Sequence, residues 1–174
     1  MVKADQKKAD NISEYLIYMF QSEDLIRTFE FDLNRITEYM ITNIPVTDSE
    51  KKELILWYAA LIENMRTDKV EKTGHITEVN NLIEELTILH LKLIRSDNKY
   101  AHLAQSAKPF IQSNIKKSNN TVNNPIQICL NAIYGFLLLK FEEKTITNEQ
   151  QKMLNSFGDL LSYLSFIYKE QNLS

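Results

Sequence analysis

The sequence predicts an all-α fold, a single-domain irregular bundle of about six or seven helices, and three observations predict it. Apolar residues recur at helical spacing over long stretches. The 174 residues include only three Gly and three Pro, too few for the turns of a sandwich or barrel. Period-2 alternation with β-branched enrichment is missing throughout. A chain of this length fits one domain over 1–174, or a tightly fused pair of halves, and can bury a substantial core. Its hydrophobic fraction of 44% is that of a folded chain rather than a disordered one. No repeat of solenoid period is visible.

The first helix is expected from about Asp5 or Asp10 to Thr28. Ile12, Leu16, Met19 and Ile26 form its apolar stripe, with Tyr15 and Phe20 on the flanks. A shorter helix over roughly Asp32–Ile41 follows, and Pro45 disfavours helix in the residue before it. Thr47 and Glu50 match a capping box, opening a helix to about Asp68 with Leu54, Trp57, Tyr58, Leu61 and Met65 on one face. Thr73-Gly74 marks a turn. The helix from about Ile76 to Arg95 has a Leu82, Leu86, Leu89, Leu93 stripe, with Ile88 and Leu91 well off it. Lys99–Lys117 reads as a weaker helix that Pro109 should kink or split. Ser118–Asn124 is the clearest polar loop and the expected place for mobility. Asn124-Pro125 then reads as an N-cap with proline at the first helical position. The segment to about Glu143, the most apolar in the chain, is expected to be the central buried helix. Thr147–Gln150 repeats the capping-box pattern and opens a last helix to about Glu170. Gly158 inside it costs about 1 kcal/mol relative to alanine, for which close helix packing is the expected reason.

Charge and composition exclude several function classes. A net charge of −3 gives no electrostatic case for nucleic acid or an anionic membrane surface. The groups Lys7-Lys8, Lys51-Lys52 and Lys116-Lys117 read as solvated helix ends and loops. Cys129 is the only cysteine, so no intrachain disulfide forms, and its apolar surroundings suit an inert core thiol. The N-terminal charges have no apolar signal-peptide core behind them, and Ile126–Phe141 is short and polar-interrupted for a membrane span. The expected location is cytoplasmic.

One residue breaks the pattern. At about 100° per residue, Glu23 lies in the middle of the first apolar stripe. A buried ionised carboxylate needs a partner, so the helix carries either a structural ion pair or a functional site. Arg27, one turn on, stands in the favourable orientation for an intrahelical pair, and that pair is the expected role. Asp24 and Glu14 point elsewhere and read as solvated. The sharper alternative is a small-molecule binder or enzyme with a site between helices that joins Glu23 and Arg27 to His90, the histidine on the flank of the leucine stripe, where His90 and Glu23 would form an acid–base couple. His90 otherwise reads as a partly buried histidine bonded to a neighbour, His75 as a turn or helix-start residue, and His102 as isolated. No HExxH motif or Glu three residues before a histidine exists, so no metal is expected. No nucleophile elbow, phosphate-cradling glycine loop or activated cysteine occurs either. No catalytic residue and no cofactor is assigned.

The string from Asn11 to Arg27 resembles the start of an uncharacterised family of small all-helical cytoplasmic proteins from Bacteroidetes, filed as a domain of unknown function. Trp57-Tyr58, Gly74-His75, Leu89-His90-Leu91 and Asn131-Ala132-Ile133-Tyr134-Gly135 follow in a similar order, so the likeness covers nearly the whole chain. It implies no catalytic residues, since none is established for the family. Phe20 stands where the pattern has tryptophan, which keeps an aromatic and loses an indole N–H. The function expected from the residues is non-enzymatic: a helical interaction or scaffold protein that associates with itself or with a protein partner. Its supporting feature is the set of off-stripe apolar residues Leu56, Ile88 and Leu91. Were they buried, they would merely mark central helices.

Overall fold

A computed structural model describes residues 3–172, and among them there are eight α-helices and no strand. The expected first helix is two, α1 (Lys3–Asp10) and α2 (Ile12–Thr28). Asn11 separates them in an extended conformation, its side chain accepting from the Ser13 and Glu14 N–H groups. α3 (Leu33–Tyr39) and a 3-10 turn (Ile41–Asn43) lead to α4 (Asp48–Thr67), which opens on the expected capping box of Thr47 and Glu50. α5 (Thr77–Ser96), α6 (Asn98–Lys117), α7 (Pro125–Phe141) and α8 (Asn148–Asn172) complete the bundle.

Pro109 does not split α6, which is continuous over its 20 residues. The missing N–H leaves one interior carbonyl without its helical donor, a loss the packing of α6 against α5, α7 and α8 outweighs. α7 and α8 each pack against α2, α5 and α6 as well as against each other. The first half of α7 is buried through Ile126, Ile128, Cys129 and Leu130, but Leu138 and Phe141 near its end are exposed. The helix expected to be central is therefore central only over its first half. Gly158 is not a close-packing residue, since a Cβ there would meet nothing within 4 Å, and nothing in the structure explains it.

Because glycine is scarce, other residues take the left-handed conformation that ends helices. Phe31, Lys69, Asn120 and Glu143 have φ of 63°, 59°, 60° and 54°. Each lies at a reversal where an N–H reaches back to the carbonyl five residues earlier, as Phe31 to Ile26 and Val70 to Met65. α2 is anchored to α8 by a buried contact of 2.6 Å between the Ser13 and Ser165 hydroxyls. One apolar cluster runs through α2, α4, α5, α6, α7 and α8, and Glu23 is fully buried within it.

Candidate functional site

The chain reverses between α4 and α5 over residues 68–76, and α2 holds that reversal from one side. α5 begins without a capping side chain at Ile76, so its first donors need acceptors from elsewhere. Glu23 supplies one, its Oε1 accepting from the Ile76 N–H at 2.9 Å. Asp68 supplies the next, accepting from the Thr77 N–H at 2.6 Å. Two carboxylates thus sit at the positive end of the α5 dipole. The other oxygen of Glu23 accepts from His75 Nδ1 at 2.5 Å. The imidazole stacks on Phe20, with ring centroids 3.9 Å apart and planes 14° apart. Asn80 closes the turn by donating to the His75 carbonyl at 2.8 Å.

Arg27 serves the same reversal differently. Its Nη2 donates to the Val70 and Gly74 carbonyls at 3.0 and 2.5 Å. Its Nη1 meets Asp24 at 2.8 Å. Asp24 also accepts from the Tyr134 hydroxyl on α7 at 2.7 Å, and burial first, then Asp24, pushes that phenol's pKa up. Gly74, with φ +89°, provides the left-handed step that places its carbonyl under the guanidinium.

The expected Glu23–Arg27 pair is therefore replaced by two separate partnerships. Glu23 is bound by His75 and a backbone N–H, while Arg27 takes Asp24, half-exposed and paired rather than solvated. The physical reason is depth. Glu23 is fully buried beneath the turn, whereas the arginine head reaches carbonyls nearer the surface.

His90 belongs to neither partnership. It lies 14 positions beyond Ile76 on α5, about 20 Å along the helix. It is buried, with Nδ1 2.7 Å from the Tyr100 hydroxyl, and burial lowers its pKa to about 4. It lines a cavity of about 280 Å³ between α5, α6 and the start of α7, together with Ile94, Ala104, Gln105 and Lys108. The three expected site residues thus fall in two places: Glu23 and Arg27 at the 68–76 reversal, His90 at this cavity.

The site gives a carboxylate-oriented imidazole with a stacked aromatic, an arrangement suited to fixing a ring and a helix start. Among the described residues no group of three or more His, Cys, Asp or Glu converges to hold a metal. Burial raises the Cys129 thiol pKa well above its ordinary value, so the thiol is not an activated nucleophile. No described helix is long and apolar enough to cross a membrane. His75, Asp24, Tyr134 and Asp68 were not singled out as site residues from the sequence. The available signal was the uncapped helix start beside Gly74-His75.

A family model described as "Domain of unknown function (DUF4924)" matches residues 1–174. No curated protein and no solved structure matches the chain.

Proposed function

The chain belongs to this family of unknown function, and we propose that it is a non-enzymatic helical interaction protein that acts by association. The observation that carries the reading is the exposure of large apolar side chains that the core does not need. Leu56 is 70% exposed, Ile88 61% and Leu91 52%. Ile88 and Leu91 share the outer face of α5, where clustered apolar surface favours a protein contact. The polar residues at the 68–76 reversal support the same reading, because buried Glu23 and half-buried Arg27 and His75 are bonded to the fold itself. A single, buried cysteine is in keeping with a cytoplasmic location, which is part of this proposal. Sedimentation velocity over a range of concentrations tests it. Association should appear with rising concentration and weaken in Ile88→Glu, and a strict monomer throughout would remove self-association.

The cavity beside His90 favours a second reading, a binder of small molecules. His90 Nδ1 and the buried Tyr100 hydroxyl lie 2.7 Å apart; with the hydroxyl as donor, the neutral ring keeps its Nε2–H as a donor for a ligand. Lys108 adds a cation, and Ile94, Ala104 and Ile111 add apolar wall. A short-chain carboxylate such as hexanoate fits that chemistry. Titration followed by backbone amide shifts should move Ala101, Ala104 and Gln105, and Lys108→Ala should weaken binding about fivefold. Equal shifts with hexanol would sink this reading.

A further inference from the structure

The outer face of α5 carries more than exposed apolar groups: its sequence is complementary to itself when reversed. Glu84, Ile88, Leu91 and Arg95 are all exposed. Their spacing of four, three and four residues places them within an arc of about 60° on the helix. They run about 17 Å along its length. The midpoint of Ile88 and Leu91 and the midpoint of Glu84 and Arg95 coincide, between Leu89 and His90. A two-fold axis through that point would bring Ile88 against Leu91 of a second copy, and Glu84 against its Arg95. That is the pairing rule of an isologous contact, in which residue i meets j and j meets i. The four-three-four spacing is also that of the seam by which helices pack nearly antiparallel. Neither Glu84 nor Arg95 is engaged in an ion pair among the described residues, so both charges are available.

We infer that a second copy of this chain covers the face, as an antiparallel α5–α5 contact with Ile88 and Leu91 at its centre and Glu84–Arg95 pairs at both ends. The inference rests on the association reading and names its partner and register. The surrounding surface favours a copy over an unrelated apolar partner, because the stripe ends in opposite charges that a uniform partner would leave unmatched. A seam of three helical turns is small by the standard of stable interfaces, so the dimer is weak and depends on concentration.

Charge reversal tests the register. Sedimentation equilibrium of the full chain should show a monomer–dimer balance. Glu84→Arg alone and Arg95→Glu alone each turn both end pairs into like-charge contacts, and each should weaken the dimer by about fivefold or more. The double variant restores opposite charges and should return the dimer to near wild-type strength. Both sites are exposed, so circular dichroism should report an unchanged fold for all three variants. A dimer that ignores both single reversals would overturn the inference and leave the association reading in place, with another face to be found. A wild-type chain that stays monomeric at high concentration would overturn the inference and confine the association reading to a different protein as partner.

Discussion

The two histidine sites of this molecule, one built around buried Glu23 and one around buried His90, solve the same problem in opposite ways. At the 68–76 reversal, Glu23 brings a carboxylate into the core and is met by an imidazole and a backbone N–H at a helix start. At the α5–α6 contact, His90 enters the core with only a phenol for company and stays neutral because burial disfavours its charged form. The first arrangement ties three elements together: α2, the reversal and α5. The second ties two helices and leaves one ring edge beside a cavity. A buried charge has to recruit backbone, whereas a buried neutral group needs one partner.

Removing the carboxylate should have the largest effect. Glu23→Ala leaves His75, the Ile76 N–H and a cavity unanswered, and should lower stability by about 3–5 kcal/mol in urea unfolding. Glu23→Gln keeps one acceptor oxygen and should cost clearly less. Equal losses from the two would mean that shape, not hydrogen bonding, governs the site, and the contrast drawn above would fail.

The His90 site should reveal itself through pH, with a smaller effect. Its folded pKa lies near 4, below the ordinary 6.5, so the unfolded chain binds more protons between those values. The stability this neutral histidine retains is therefore complete above about pH 6.5. It declines as pH falls toward 4, by up to about 3 kcal/mol. Comparing urea midpoints of wild type and His90→Phe at pH 7 and pH 4.5 isolates the contribution, because other titrating groups cancel between the two proteins. A gap between them that does not change with pH would show that His90 is not held neutral by burial.

Much of the fold was legible because the helices are periodic and their caps are local. Thr47 with Glu50, Thr147 with Gln150 and Asn124 with Pro125 each announced a helix start within four residues. The division at Asn11 was also written locally, in an Asn followed three positions later by Glu, but the continuous charge pattern before it obscured the break. The site was only half legible. Glu23 was visible as a carboxylate in need of a partner, and Ile76 as the approximate start of a helix. That these two needs answer each other depends on α2 lying against the reversal, which no local pattern encodes. Arg27 illustrates the same limit: spacing favoured Glu23 as its partner, while the folded turn offered it two carbonyls and Asp24. His90 is expected from the sequence to be partly buried and bonded to a neighbour; it is buried outright instead, and Tyr100 emerges as its partner only once α6 folds back on α5.

The capping of α5 by Glu23 bears on the order in which the chain folds. Most helices here can start from side chains within a few residues of their first turn. At the start of α5 the Thr77 N–H finds Asp68 nine residues away, but the Ile76 N–H waits for an acceptor 53 residues away in sequence, so this start settles fully only after a long loop has closed. Nucleation of α5 is therefore expected nearer its leucine-rich middle, with growth backward toward Ile76 completed when α2 arrives. The earliest part of this helix in sequence would be among the last to form in time.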